Sequence, residues 1–183
     1  RKDTAIMLRR FAPVPKRTMS FSLSVPFINA FSLTSPEGRS APEGPLGLGA
    51  GLDYFYQTNR YMSLSLGVGT SVFADRIGVG YYYSGHIGYI SVRNSHVIGS
   101  FDLGYGLSFS DLIWSKVTIG DTVNVNRTIS RPGIGFSFSA QYRISRYFRL
   151  DILYQPTFLS SNSPHPFSYQ HYLAAGFAWR WPM

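Results

Sequence analysis

The chain has 183 residues, 44% of them hydrophobic and 16% aromatic, yet only 14% charged, against about 25% in ordinary soluble domains. Its net charge is +8, but residues 1–17 hold six basic residues against one acid, so the spread of cations along one face that a nucleic-acid domain needs is missing. The absence of cysteine excludes disulfides and zinc–thiolate sites, and no run approaches the roughly 18 unbroken apolar residues of a membrane helix.

The tail RKDTAIMLRRFAPVPKR combines basic residues, a brief apolar stretch and a Pro-x-Pro. Its start at Arg1 is compatible with a leader already removed. Strict alternation follows. In a first strand Met19, Phe21, Leu23, Val25 and Phe27 oppose Ser20, Ser22 and Ser24. A second sets Leu46, Leu48, Ala50, Leu52, Tyr54 and Tyr56 opposite Gly47, Gly49, Gly51, Asp53 and Phe55, and a third sets Met62, Leu64, Leu66 and Val68 opposite Ser63, Ser65, Gly67 and Gly69.

The fourth run presents Ile77, Val79, Tyr81, Tyr83, Ile87 and Tyr89 as its apolar face, which turns His86 inward and leaves a turn at Arg93-Asn94-Ser95-His96. Val97, Phe101, Leu103, Tyr105, Leu107 and Phe109 mark the fifth; Ile134, Phe136, Phe138, Ala140 and Tyr142 the sixth; Phe148, Leu150, Ile152 and Tyr154 the seventh. The last carries Tyr169, His171, Leu173, Ala175, Phe177, Trp179 and Trp181. Pro26 and Pro156 fall inside strand runs, where each removes a ladder donor, so a bulge or strand end is expected at both.

Period 2 throughout, with a bulky apolar face opposite a Gly, Ser and Asp face, predicts an all-β fold: an eight-stranded antiparallel up-and-down transmembrane β-barrel. In lipid every backbone amide must be paired within the protein, so a sheet crosses only by closing on itself, with its apolar face outward. Brief turns at Thr58-Asn59-Arg60, Arg93–His96 and Ile144-Ser145-Arg146 alternate with longer connections at 33–45, 110–131 and 159–166, apart from a short joint near Ala74-Asp75-Arg76. The 117–129 stretch alternates around Gly120-Asp121 and reads as a small hairpin above the membrane. Short turns on one side and long loops on the other are the pattern of bacterial outer-membrane barrels, and the even strand count then puts both termini in the periplasm.

The domain division is a basic periplasmic tail at 1–17 and a barrel at 18–183. Tyr54, Tyr56, Tyr142, Trp179 and Trp181, with Tyr61, Tyr89 and Phe148, lie near the short turns, and Phe31, Phe73, Tyr81, Phe109, Tyr154 and Tyr169 near the loops, as two interface belts. By register Asp53, Asp102 and Asp151 share the lumen with Gln141, Arg143, Arg149 and Arg180 near the short turns, where the acids and arginines should pair and plug a narrow barrel. Arg9, Arg10, Lys16 and Arg17 are the tail residues placed to dock on a partner protein or an anionic surface, the bland reading being a solvated leader. The loops carry Arg39, Arg76, Lys116, Arg127 and Arg131 against Glu37, Glu43, Asp75, Asp111 and Asp121, a balance that argues against strong attraction to lipopolysaccharide phosphates.

Over residues 18–183 the strand count, the loop asymmetry and the last strand, YLAAGFAWRW, resemble the small eight-stranded outer-membrane barrels, the class of the outer membrane protein A transmembrane domain and of outer membrane protein X. The resemblance implies a Gram-negative outer membrane, outer-membrane lipid as surroundings, and the barrel-assembly machinery as a partner during biogenesis, for which the last strand looks like the signal; the chain departs from it by continuing through Pro182-Met183. Three functions compete: a non-catalytic accessory or binding subunit of an outer-membrane assembly, acting through its loops or tail on an outer-membrane or periplasmic protein; a lipid A- or lipopolysaccharide-modifying enzyme; and a narrow, porin-like pore. No His, Ser and acid set stands out, since His171 and Ser168 lack a nearby acid. The expectation is therefore no catalytic residue, no metal, no cofactor and no nucleic-acid partner, with the binding role preferred.

Overall fold

The computed structural model describes residues 14–35, 38–40, 43–71, 80–119, 123–161 and 167–183. Eight long strands form the wall: β1 (Thr18–Ser35), β2 (Leu46–Gln57), β3 (Arg60–Thr70), β4 (Gly80–Ile98), β5 (Phe101–Ile119), β6 (Val123–Arg143), β7 (Phe148–Ser160) and β8 (Phe167–Pro182). Each pairs antiparallel with its neighbours in sequence, and β1 pairs antiparallel with β8 from Ser20 opposite Pro182 to Ser32 opposite His171. This closes the sheet and leaves no edge among these strands, the condition for a sheet in hydrocarbon. Two short segments, Gly38–Ser40 and Glu43–Gly44, fold back on the loop-side end of β1.

The alternation sets the two faces. Along β3, Tyr61, Ser63, Ser65, Gly67 and Gly69 are buried while Met62, Leu64, Leu66 and Val68 are exposed, Leu66 and Val68 at 57% each. The same holds for Leu103, Leu107 and Phe109 on β5 and for Ile134, Phe136 and Phe138 on β6. A soluble molecule would not expose so continuous an apolar belt, whereas hydrocarbon requires it. Pro26 coincides with a register shift between Pro26 and Ile28 and sits at a bulge; the β6–β7 shift falls at Phe158, two residues past Pro156, which stays in register with His171 on β8.

β4 departs from its sequence reading. The turn lies at Gly99-Ser100, where Gly99 has a φ of +60°; Arg93-Asn94-Ser95-His96 continues the strand, and Val97, read as the start of the fifth strand, belongs to β4 as well. Ile87 and Tyr89 face inward, His86 shares the outer face with Gly88, Ile90 and Val92, and Arg93 is buried. Phe31 and Tyr61 are also buried inside the barrel and do not belong to the belts. Of the stretch read as a loop, residues 110–119 and 123–131 are strand, since β5 and β6 stay paired from Phe101 opposite Tyr142 up to Ile119 opposite Val123. Arg131, counted among loop charges, is therefore an inward, buried wall residue. The Ala74-Asp75-Arg76 joint and tail residues 1–13 lie outside the described residues.

Glycine on the inner face makes room for large side chains. A Cβ on Gly67 would meet the Tyr89 ring, and one on Gly69 the Tyr172 hydroxyl. These tyrosines join Phe31, Ile87, Leu112, Trp114, Leu153 and Ala174 in one buried cluster in the loop-side half of the lumen. The turn-side half has a different lining.

Candidate functional site: a charged tier sealing the lumen

Asp53 stands four residues before the end of β2, Asp102 is the second residue of β5, Arg143 ends β6, Arg149 is the second residue of β7, and Arg180 lies near the end of β8. Period 2 turns each inward, and position near a short turn puts them at one height. All five are buried. Arg143 donates through Nε and Nη2 to Asp102 Oδ1 at 3.0 and 2.7 Å, while Arg149 and Arg180 donate to Oδ2, the latter at 3.0 Å. Tyr61 adds its hydroxyl to the same oxygen at 3.3 Å. One carboxylate thus takes three guanidinium groups.

Arg180 links the rest. Its Nε lies 2.8 Å from Asp53 Oδ2, without the alignment of a hydrogen bond, and its Nη2 donates to Tyr61 at 2.7 Å and to Gln141 Oε1 at 3.0 Å. The guanidinium sits over the Tyr61 ring, 4.5 Å from its centroid, an arrangement favourable for a cation. Gln141 donates in turn to Asp151 at 2.9 Å, so all six residues assigned to the lumen network belong to one connected set. Sequence reading missed Tyr61, taken for a belt residue, and Arg93, taken for a turn residue. Arg93 extends the polar interior toward mid-barrel with bonds to Ser91 and Ser137 at 3.2 and 3.3 Å. Burying charge is costly unless it is paired and hydrogen-bonded; around Asp102 the tier supplies both, whereas Asp53 meets Arg180 as an ion pair alone.

On the outer wall Tyr54, Tyr142 and Trp181 are exposed at 44%, 42% and 40%. Trp179 is half-buried against Phe148, ring centroids 5.3 Å apart, and the Tyr56 hydroxyl donates to Asn94 at 2.7 Å. These five form the turn-side belt. Lys16 and Arg17 are exposed, and the Arg17 amide donates to Phe55 O at 2.7 Å; Arg9 and Arg10 lie outside the described residues. The Met183 amide bonds Met19 O at 2.9 Å, so the chain leaves and enters the barrel at its short-turn end.

Nucleophile and base candidates stand at the loop-side edge of the outer wall. Thr70 and His86 share a hydrogen bond of 2.8 Å between Oγ1 and Nδ1, and Ser130 donates to both oxygens of Asp111 at 2.8 and 3.1 Å. The acid thus holds a hydroxyl, whereas a triad needs it on the imidazole. His171 packs between the rings of Tyr154 and Tyr169, 5.8 and 5.5 Å away. Among the described residues no group of three or more His, Asp or Glu side chains is arranged to hold a metal.

No protein-family model and no curated protein matches the chain. Solved structures do. The attachment invasion locus protein Ail of Yersinia pestis aligns over 91% of this chain and 100% of its own, with a TM-score of 0.55 and 11% identity. Neisserial surface protein A aligns over 88% of this chain and 95% of its own, with a TM-score of 0.52 and 10% identity. The outer membrane protein OprG of Pseudomonas aeruginosa aligns over 91% and 97%, with a TM-score of 0.50 and 8% identity. Identities this low carry the fold alone: a small, closed, eight-stranded barrel of the outer-membrane type.

Proposed function

We propose that this chain is a non-catalytic outer-membrane barrel that holds a partner protein at its loop side, with both termini in the periplasm. The observation that carries the reading is the set of buried side chains inside the barrel. An aromatic and aliphatic cluster occupies one half, the tier centred on Asp102 occupies the other, and eight strands leave an interior just wide enough for side chains. What remains for interaction is the exterior. There β5 and β6 continue as a paired ribbon past the apolar belt, to Ile119 and Val123, and a ribbon fixed to a rigid barrel is well placed to present a binding surface. The Ail barrel has also been solved with the heparin analogue sucrose octasulfate; for the present chain the balanced charge of the loops favours a protein partner over such a polyanion.

Ser115 and Thr128 face each other across the ribbon with a 3.0 Å hydroxyl contact, so joining them through Asn-Gly shortens it without disturbing the wall. Purification from native membranes in mild detergent should yield a partner that the shortened form loses. Partner recovery unchanged by the shortening, or dependent on residues 1–16 instead, would move the site to the tail. Steady conductance in planar bilayers would favour the pore, and a lipid A mass profile that changes with the protein would favour the enzyme.

A further inference from the structure

The net charge of +8 is unevenly placed on the barrel. Toward the loop end five basic residues balance five acidic ones. The aspartates of the turn-side half, Asp53, Asp102 and Asp151, face the lumen, where arginines and Gln141 hold them. Most of the excess stands at the short turns. Lys16 and Arg17 lead into β1, Arg60 follows the β2–β3 turn and Arg146 lies in the β6–β7 turn, and all four are exposed. The described residues of this rim, 14–17, 57–60, 98–100, 144–147 and 182–183, include no acidic side chain. Among the described residues none of the four cations has an ion-pair partner. The tail ahead of Lys16 carries four more basic residues against one acid.

The level of these cations decides what they meet. Arg60 is on the outer face of β3, and the next outward residue is Met62, where the exposed apolar run to Val68 begins. It pairs with His96 on β4, and the next outward pairing in the same rows brings Asn94 beside Tyr105 on β5. The Tyr56 hydroxyl donates to Asn94 Oδ1 at 2.7 Å and the Asn94 amide donates to the Tyr105 oxygen at 3.4 Å, which leaves the Tyr105 hydroxyl its own hydrogen to donate. Four strands away around the wall, the Arg146 guanidinium lies 5.3 Å from the ring centroid of Tyr147, itself exposed. Cations and tyrosines therefore share the edge of the apolar belt, which is the layer of lipid head groups, and long basic side chains reach such a layer readily.

We propose that the turn-side rim binds phospholipids of net negative head group, their phosphates lying against Arg60 and Arg146 and their acyl chains against the apolar belt beside them. Such a head group brings negative charge to the level where the barrel has exposed cations and no acid, whereas a zwitterionic one brings its own ammonium among them. Each cation near an anionic membrane surface contributes about a fivefold gain, so several at one level set a clear preference. A soluble acidic protein would approach from beneath the turns and leave Arg60, on the lateral face, unmatched. The inference rests on the membrane-facing barrel and stands apart from the β5–β6 ribbon, whose shortening leaves it unchanged.

The test uses the purified full chain in mild detergent, titrated with equimolar phosphatidylglycerol and phosphatidylethanolamine of identical acyl chains and read by native mass spectrometry. Phosphatidylglycerol should be retained about tenfold over phosphatidylethanolamine. Arg60→Gln combined with Arg146→Gln should cut that preference at least threefold while the barrel keeps its folded mobility on unheated gels, and Arg60→Lys combined with Arg146→Lys should restore it. Arg39→Gln combined with Arg76→Gln removes as much charge toward the loop end and should leave the preference as it is in the parent chain. Equal retention of the two lipids by the parent chain would overturn the proposal and turn the rim toward an acidic protein. A preference undiminished in the folded Arg60→Gln, Arg146→Gln chain, or an equal fall in the loop-end variant, would overturn it as well.

Discussion

Replacing Asp102 with alanine isolates the contribution of the charged tier. The carboxylate is 1% exposed and accepts from Arg143, Arg149, Arg180 and Tyr61. After its removal Arg180 keeps Asp53 and Tyr61, and Arg149 keeps Gln141, but both of Arg143's bonds to the tier go to Asp102. Four buried arginines, with Arg93, would then face two aspartates. Breaking a buried pair by deleting one partner costs about 3–5 kcal/mol, and three guanidinium groups sharing one anion place the expectation at the upper end. Reversible urea unfolding in lipid vesicles, followed by tryptophan fluorescence, gives the difference directly. The double variant with Arg143→Met should recover part of the loss, because the most exposed consequence, an unpaired buried cation, goes with it; a coupling of roughly 1–3 kcal/mol is expected. A loss below about 1 kcal/mol for Asp102→Ala would mean that water solvates the arginines and that the tier is no seal.

The other predictions concern the two faces of the wall. Leu66→Arg puts a cation on the mid-belt outer face, where Leu66 is 57% exposed, and should cost about 2–4 kcal/mol in the same vesicles; a change under roughly 0.5 kcal/mol would mean that face meets water. Tyr172→Phe removes the 2.5 Å hydrogen bond to Asn29 Oδ1 deep in the loop-side cluster, leaving a buried acceptor unmet at about 1–3 kcal/mol on the same urea scale. Gly106→Ala should lose about 1–3 kcal/mol, since its methyl would collide with Val92 O and Arg93 Cα. Gly88→Ala, with open space before it, should gain about 0.5–1 kcal/mol.

Seven of the strands could be read from residue pattern because hydrocarbon imposes one rule on the outer face; Leu46–Tyr56 obeys it throughout, and Tyr169–Trp181 departs from it at His171 alone. β4 could not, because its inner face is apolar too: Ile87 and Tyr89 enter the loop-side cluster, so bulk no longer distinguishes inside from outside. The polar run Arg93–His96 then resembled a turn more than Gly99-Ser100 did. For the charged tier, period and distance from the turns brought out Asp53, Asp102, Asp151, Arg143, Arg149 and Arg180 together. Their partners depend on how far each strand is staggered around the barrel, which no single strand encodes. That is why Tyr61 and the sharing of Asp102 by three arginines emerge only in three dimensions.

Arg180 lies on the strand that closes the wall against β1, and it joins an aspartate of β2 to one of β5. Closing the cylinder and pairing Asp53 are therefore one event. A barrel open at that seam would leave Asp53 without its guanidinium while Asp102 keeps Arg143 and Arg149. The geometry thus makes a single buried anion the gauge of closure: it is matched when β8 stands beside β1.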